Sequence, residues 1–230
     1  MAPIRVLIAD DEALVRHALR IFVASAPDMT VVGEAEDGVL AVRAAEELQP
    51  DVVLMDLQMP RMGGMEATRR ITAALSDTRV LAVTTFSSER HVVPALRAGA
   101  SGYLVKDSEP DDILHAIREV RAGRSVMSPR ITRDLILSLR DDSETGSMAA
   151  SGHEPLTTRE YTVVRLIGRG MSNAEIAREL HLSEPTIKAN LSRVMIKWDV
   201  RDRVQVLIHA VRHGIVDLSH YEGEPSVRAR

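Results

Sequence analysis

The chain has 230 residues, 45% hydrophobic and 27% charged, which is an ordinary globular composition and long enough for two domains. It contains no cysteine, which excludes disulfides and thiolate metal sites and indicates a reducing compartment. The first apolar run is too short, and too quickly followed by acids, for a signal peptide, and no run reaches membrane-spanning length. We therefore expect a cytoplasmic protein with no membrane partner.

The net charge of -4 is unevenly distributed along the chain. Residues 1–123 carry 13 basic and 19 acidic side chains, a net charge of -6, whereas residues 154–213 carry 10 and 7, a net charge of +3. This asymmetry indicates two domains with different partners and makes a polyanion a candidate partner of the second. Ordinary solvated surfaces also differ by this much, so charge alone leaves that partner open.

Short apolar runs alternate with helical patterns over residues 1–123. We predict strands at Ile4–Ala9, Thr30–Glu34, Asp51–Met55, Arg79–Thr84 and Gly102–Val105. A helix is predicted over Glu12–Ala24, where Leu14, Ala18, Ile21 and Phe22 recur near helical spacing. Strands that alternate with helices predict βαβ units, and right-handed crossovers then give a doubly wound, five-stranded parallel sheet with helices on both faces.

The periodic pattern weakens after residue 123. We predict a partly helical linker over residues 124–153, because MSPRITRDLILSLRD can form one amphipathic helix and DDSETGSMAASGHEP is rich in Ser, Gly and acids. Residues 154–213 are predicted to form a four-helix, all-α domain, followed by a tail over residues 214–230. The first three helices begin at capping residues, which are Thr157 or Thr158, Ser172 with Glu175, and Ser183.

Polar side chains stand at the ends of four predicted strands. Asp10 and Asp11 follow the first strand, Asp56 follows the third, Thr84 ends the fourth and Lys106 follows the fifth. Because the carboxyl ends of parallel strands share one edge of a sheet, we expect these side chains to converge. Each residue alone is more simply a helix cap, a strand former or a solvated charge, but the complete set favours a functional site.

The chemistry of this site follows from its charges. Three clustered carboxylates repel one another unless a cation neutralises them, and oxygen ligands without His or Cys favour Mg²⁺. Asp56 can then attack a phosphoryl group as a nucleophile and form an acyl phosphate. Lys106 can pair with the phosphoryl oxygens, and the Thr84 hydroxyl can donate to another of them.

The runs ADDE, LMDLQMPRMGG, VTTF and GASGYLVKD resemble, in order and spacing, the signatures of two-component receiver domains over residues 1–123. The resemblance implies a flavodoxin-like fold in which Asp56 accepts phosphate from a sensor histidine kinase. It also implies that Asp10, Asp11 and Asp56 bind Mg²⁺ together with the backbone carbonyl of Gln58.

The receiver resemblance also gives roles to residues of the last two strands. It implies that Thr84 and Tyr103 are a switch pair that rotates inward when phosphate binds, and that Lys106 contacts the phosphoryl group. One departure concerns the helix after the fourth strand, because Pro94 removes a backbone donor there. We expect that helix to start late, with Pro94 in its first turn, or to be kinked, and we expect Ser87–Val93 to be irregular.

The third helix of the C-terminal domain has two distinct faces. Ile187, Leu191, Val194 and Trp198 form an apolar stripe that we expect to pack inward. The residues predicted to contact DNA are Thr186, Lys188, Ala189, Ser192, Arg193 and Lys197. In a major groove, lysine and serine can reach base edges, the alanine methyl can touch a thymine methyl, and arginine suits phosphates. The same faces occur in any small helical bundle, so spacing alone leaves both readings open.

Residues 154–213 resemble the LuxR-type helix-turn-helix, with a recognition helix at roughly Ser183–Lys197. With a receiver in front, the whole chain is similar to response regulators of the NarL/FixJ type. This resemblance implies a transcription factor rather than an enzyme, which binds an operator in double-stranded DNA. It further implies that phosphorylation releases a blocked recognition helix and promotes homodimers. The chain departs from the family at Asn190, where histidine is common, and at Trp198 and Asp199, where Leu-Gly is usual.

Three alternatives were weighed against this interpretation. A phosphatase of the haloacid-dehalogenase kind also uses an aspartate with Mg²⁺, but its nucleophile follows the first strand in a D-x-D motif, whereas here the first-strand acids are adjacent. A second alternative keeps the receiver but makes the helical domain an RNA or protein binder. A third is a regulator that ignores phosphate, which the complete set of acids disfavours.

Overall fold

The computed structural model describes residues 2–84, 91–124 and 154–216, together with residues 132, 135, 136 and 139. These residues form two compact units, the first built mainly from residues before 125 and the second mainly from residues after 153. Most of the predicted linker (124–153) and of the predicted tail (214–230) lies outside the described residues. Within the described ranges, no helix combines the length and the apolar character needed to cross a membrane.

The N-terminal unit is built around a five-stranded sheet in the order β2-β1-β3-β4-β5, with every neighbouring pair parallel. The strands are β1 (Ile4–Ala9), β2 (Met29–Ala35), β3 (Val52–Asp56), β4 (Arg79–Thr84) and β5 (Gly102–Val105). The predicted strands and the parallel sheet are thus confirmed, with ends that differ by one residue at β2 and β3. The strand order reverses between β1 and β3, which places a crevice at the carboxyl ends of those two strands.

Helices cover both faces of this sheet. Their bounds are α1 (Ala13–Ser25), α2 (Gly38–Leu48), α3 (Gly64–Ala74), α4 (Val92–Arg97) and α5 (Pro110–Arg121). One apolar cluster joins β1 and β3 to α1 and α5, and it includes Ile8, Leu54 and Ile117. A second cluster joins the other face of the strands to α2 and α3, and it includes Leu7 and Ile71. Burial on both faces is the reason that the strands are almost continuously apolar.

Helix α1, predicted over Glu12–Ala24 and found over Ala13–Ser25, carries apolar residues on two faces. Leu14 and Ile21, which recur near helical spacing, are 81% and 53% exposed. Leu19 and Val23 are buried in the first cluster instead, with Phe22 partly buried beside them. The helix itself is confirmed, but helical spacing alone does not decide which of its two apolar faces meets the sheet.

Helix α4 starts late, as expected from its proline. It begins at Val92 and ends at Arg97, so Pro94 lies in the first turn, where a missing backbone donor costs little. The expectation of an irregular Ser87–Val93 is wrong at Val92 and Val93, which are helical. Residues 87–90 of that segment lie outside the described residues.

The C-terminal unit is helical, as predicted. Its helices are α6 (Thr158–Gly168), α7 (Asn173–Glu179), α8 (Glu184–Trp198) and α9 (Arg203–Arg212). Thr157 with Glu160, and Ser172 with Glu175, form complete capping boxes at the starts of α6 and α7. Each box satisfies backbone donors that would otherwise be unpaired at a helix start.

The predicted apolar stripe of α8 packs inward. The exposed fraction is at most 5% for Ile187, Leu191, Val194 and Trp198. The Trp198 ring stacks on His209 of α9, with ring centroids 4.4 Å apart, so the bulkier side chain finds space in the core. Asp199 ends α8 with φ of 51°, a left-handed conformation that aspartate tolerates better than most residues. The unit therefore accommodates both departures at the end of α8.

Candidate functional site

Asp56 is the last residue of β3 and is only 4% exposed. Its Oδ1 accepts a hydrogen bond from the Gln58 backbone N–H at 3.2 Å, and its Oδ2 lies 2.9 Å from Lys106 Nζ. A side chain at Gly64 would collide with the Asp56 carbonyl oxygen. Glycine there lets the start of α3 pack directly on the end of β3, and this packing fixes the position of the carboxylate.

The Lys106 ammonium lies among three carboxylates. Its Nζ is 2.9 Å from Asp10 Oδ2, 2.9 Å from Glu12 Oε1 and 2.9 Å from Asp56 Oδ2. Burial alone would lower the pKa of Lys106, but the hydrogen bonds that its ammonium donates to these three acids outweigh it and raise that pKa above its ordinary value. The lysine therefore stays charged and partly compensates the acids. Sequence reasoning gave Glu12 no role, although it directly follows the two predicted aspartates.

Asp10, Asp11 and Asp56 form an acidic cluster whose ligand oxygens lie within 4.8 Å of one another. Asp10 is 1% exposed, whereas Asp11 is exposed. Burial, the largest effect, raises the pKa of Asp10, and the neighbouring charge of Asp56 adds to it. Asp10 Oδ2 pairs with the Lys106 ammonium at 2.9 Å, and no other described group donates a hydrogen bond to it. A buried carboxylate oxygen in this state suits a hard cation such as Mg²⁺.

Thr84 and Tyr103 lie on adjacent strands beside this cluster. Thr84 ends β4 and is 1% exposed, and its carbonyl accepts a hydrogen bond from the Lys106 backbone N–H at 2.8 Å. Val105 is the partner of Thr84 across the strand pair, and Tyr103 precedes Val105 by two residues. Side chains two apart on a strand share a face, so Thr84 and the half-buried Tyr103 project to the same side of the sheet.

The outward face of α8 carries most of the predicted DNA contacts. Thr186, Ala189, Ser192 and Arg193 are exposed. Lys188 is partly exposed and lies 3.1 Å from Glu184 one turn earlier, in a surface ion pair of the kind that breaks easily. This face therefore presents hydroxyl, methyl and basic groups to an incoming surface.

Lys197 is placed differently from the other predicted contacts. Its Nζ lies 3.0 Å from Glu160 Oε2 and 3.1 Å from the Pro155 carbonyl oxygen, and its side chain is 13% exposed. The Glu160 carboxylate also accepts a hydrogen bond from the Thr157 backbone N–H at 2.9 Å. Glu160 thus caps the start of α6 and, through Lys197, also binds α8 to α6. Its capping-box position was a sequence signal that the prediction did not use.

Asn190 and Arg193 complete this contact between helices. Asn190 is buried, donates to the Thr186 carbonyl at 2.8 Å and accepts a hydrogen bond from Arg193 at 2.9 Å. Arg193 Nε also lies 3.5 Å from Glu160 Oε1. The asparagine that departs from the family pattern therefore holds the side chain of an arginine at the edge of the outward face.

Two family models match the chain. Residues 6–118 match the response regulator receiver domain, and residues 154–210 match the bacterial regulatory proteins of the luxR family. The first match covers most of the sheet with the acidic cluster, and the second covers α6, α7, α8 and most of α9. The two domains, and their order along the chain, are those that the resemblance of the sequence implied.

Curated relatives match this chain over almost its whole length. The chain is 40% identical to the uncharacterized transcriptional regulatory protein YxjL of Bacillus subtilis, over 93% of this chain and 97% of that protein. It is 40% identical to the transcriptional regulatory protein LiaR of the same organism, over 93% and 100%. A solved two-component response regulator of the LuxR family from Aurantimonas sp. SI85-9A1 is 37% identical over 60% of this chain and 98% of that one, with a TM-score of 0.54. The chain therefore belongs to the family of two-component response regulators that join a receiver domain to a LuxR-type DNA-binding domain.

Proposed function

We propose that this chain is a cytoplasmic, phosphorylation-controlled regulator of transcription in which Asp56 accepts a phosphoryl group from a sensor histidine kinase. The observation that carries the proposal is the position of Asp56 at the switch point of the sheet. One of its oxygens is held by the Gln58 backbone and the other by Lys106. We further propose that residues 1–123 act as the receiver and residues 154–213 as the DNA-binding domain, and that the protein is not an enzyme.

The acidic cluster fits a magnesium ion. Asp10, Asp11 and Asp56 supply carboxylate oxygens within 4.8 Å of one another, and the Gln58 backbone carbonyl would complete the protein ligands. The buried Asp10 Oδ2, whose one described partner is the Lys106 ammonium, is an oxygen that such an ion would also satisfy. When bound, the ion would neutralise the repulsion between the carboxylates and the incoming phosphoryl oxygens.

In the proposed reaction, an oxygen of Asp56 attacks the phosphorus of a phosphohistidine. A P–O bond forms, the P–N bond breaks, and the leaving imidazole nitrogen takes a proton. Lys106 pairs with a phosphoryl oxygen at the end of β5, and the Thr84 hydroxyl donates to another. Tyr103, on the same side of the sheet, then moves with Thr84 as the switch pair.

The DNA-binding function is proposed for the outward face of α8, as the recognition helix. Lys188 and Ser192 would reach base edges, and the Ala189 methyl would touch a thymine methyl. Thr186 and Arg193 would contact phosphates, with Lys197 supporting them from its place beside Glu160. Ala189 is exposed and uncharged, and it lies between a hydroxyl group and basic groups. This arrangement supports a face that contacts bases in the major groove rather than one that only faces solvent.

Coupling between the two domains is proposed as a population shift. Phosphate on Asp56 would favour one arrangement of Thr84 and Tyr103, which would alter dimerisation and the exposure of the recognition helix. Homodimers formed in this way would span two half-sites of an operator. Family membership supports this coupling, since this chain carries both domains and a relative that matches almost all of it is a transcriptional regulatory protein.

Phosphorylation of the full-length protein tests the proposal. With acetyl phosphate and Mg²⁺, we expect a mass increase of one phosphoryl group in the wild type and in Asp77→Asn, which removes an exposed acid from the same domain. We expect no increase in Asp56→Asn. A phosphoryl group that remains on the Asp56→Asn protein would contradict the assignment, as would a wild type that is never modified.

A further inference from the structure

A groove runs along one side of the recognition helix. It has a volume of about 490 Å³ and is lined on the α8 side by a stripe of residues one turn apart. These residues are Thr186, Asn190, Arg193 and Lys197. The opposite wall is the start of α6, including Arg159 and Glu160. Because α8 rises about 1.5 Å per residue, the stripe extends for roughly 16 Å beside the outward face.

The basic side chains of the groove differ in how far nearby acids compensate their charge. The Glu160 carboxylate is bonded to Lys197 at 3.0 Å, and Lys197 also lies 3.3 Å from Glu154. Arg193 Nε, at 3.5 Å from Glu160, is within ion-pair distance but makes no hydrogen bond with it. Arg159 is exposed, and within the described part of the chain it makes no ion pair. Two guanidinium groups therefore leave an excess of positive charge on facing walls of the groove.

The position of the groove indicates which anion it fits. A helix with its side chains is about 10–12 Å across and the major groove is about 12 Å wide, so the sides of a recognition helix face the two phosphate backbones. A groove along the side of α8 would then lie against one backbone. Guanidinium groups bind phosphate through two parallel hydrogen bonds, which makes arginine better suited than lysine to this place.

We propose that Arg159 of α6 and Arg193 of α8 form a binding site for a backbone phosphate of double-stranded DNA. The proposal rests on the DNA-binding function proposed above and adds to it a residue outside the recognition helix. Arg159 supplies a guanidinium that no described acid neutralises, and Arg193 is held in place by Asn190 at 2.9 Å. The site carries no sequence information, since phosphates are the same at every base pair.

The salt dependence of DNA binding tests this site. Full-length wild type, Arg159→Gln and Arg165→Gln are titrated with a random-sequence duplex at several salt concentrations. Arg165 is the matched control, because it is an exposed arginine on the same helix but does not line this groove. Each lost phosphate contact lowers the slope of log affinity against log salt by about 1. We expect that decrease for Arg159→Gln and the wild-type slope for Arg165→Gln.

A second variant distinguishes a phosphate site that needs a guanidinium group from a general effect of positive charge. Arg159→Lys keeps the charge but loses the planar guanidinium, so we expect the wild-type slope with weaker binding. An Arg159→Gln slope equal to that of the wild type would overturn the site, and so would equal decreases in both Gln variants. A wild type that binds no duplex at any salt concentration would contradict the DNA-binding function itself, and this site with it. Circular dichroism of each variant checks that it is folded.

Discussion

Lys106 Nζ lies 2.9 Å from Asp56 Oδ2, although the two residues are 50 positions apart in the chain. The same ammonium lies 2.9 Å from Asp10 and 2.9 Å from Glu12. One cation therefore partly compensates three acids at the carboxyl ends of the strands. A phosphoryl group on Asp56 would add negative charge at this point, where the lysine is already in place to pair with it.

Removing this cation should slow phosphorylation. We expect Lys106→Met to lower the rate of Asp56 phosphorylation by acetyl phosphate, because a hydrogen bond to a charged group contributes about 1.5–3 kcal/mol, or roughly 10- to 150-fold in rate. Intact-mass spectrometry over a time course measures this rate in the full-length protein. Arg43→Met, which removes an exposed cation elsewhere in the same domain, should keep the wild-type rate. Equal rates for Lys106→Met and wild type would contradict the role of the lysine.

Magnesium binding should depend on Asp11. This residue is exposed and belongs to the acidic cluster, so its replacement removes a ligand without opening the core. We expect Asp11→Asn to weaken Mg²⁺ binding by about tenfold or more, corresponding to about 1.4 kcal/mol or more. Calorimetric titration with MgCl₂ measures the affinity, and Asp77→Asn serves as a control of equal charge change. Wild-type affinity in Asp11→Asn would show that the ion, if bound, does not use this carboxylate.

Glu160 should stabilise the C-terminal unit. Its carboxylate accepts hydrogen bonds from the Thr157 backbone and from Lys197, and it is 2% exposed. We expect Glu160→Gln to lower the free energy of unfolding by about 1.5–3 kcal/mol, the usual contribution of charged hydrogen bonds. Thermal unfolding followed by Trp198 fluorescence measures the change. Glu179→Gln, an exposed change on α7, should unfold like the wild type.

The contribution of Glu160 to the stability of the C-terminal unit should also depend on pH. Burial works to raise the pKa of Glu160, but the bonds from the Thr157 backbone and Lys197 outweigh it and hold that pKa below its ordinary value. The ionised carboxylate therefore stabilises the fold above the unfolded-state pKa of about 4.3. This contribution is lost as the pH falls through the lower folded-state pKa. The stability difference between wild type and Glu160→Gln should shrink over that acid range, and a difference that grows there would contradict the assignment.

Part of this site could be predicted from the sequence because parallel strands end at the same edge. The positions of Asp10, Asp56 and Lys106 follow from that rule, as does the place of Thr84 at the end of β4. The burial of Trp198 could likewise be read from helical spacing. These predictions depend on the spacing of apolar residues and on the common direction of the parallel strands. Both can be read from the sequence.

Other features depend on which side chains meet in three dimensions. Helix α1 has two apolar faces, so the exposure of Leu14 could not be read from spacing. Glu12 meets Lys106 across 94 positions, and Lys197 meets Glu160 across 37. The place of Lys197 beside a buried carboxylate, rather than on the outward face, required the packing of α8 against α6.

Base recognition should depend on Lys188. Its present partner is Glu184 at 3.1 Å in a surface ion pair, which costs little to break. We expect Lys188→Ala to weaken binding to an operator by about 1–3 kcal/mol while binding to random DNA changes much less. Fluorescence anisotropy with both duplexes measures the ratio of the affinity for the operator to the affinity for random DNA, with Arg165→Ala as control. Equal losses on operator and random DNA would assign Lys188 to a phosphate instead of a base.

The central claim is that phosphate on Asp56 controls DNA binding by the same chain. The most direct measurement is the affinity of full-length wild type and Asp56→Asn for one operator duplex, taken from a genome-wide map of bound sites, with and without a small phosphodonor and Mg²⁺. We predict that the donor tightens binding by the wild type and leaves Asp56→Asn unchanged. An operator affinity that is the same with and without the donor, in a wild type shown to be phosphorylated, would contradict the claim.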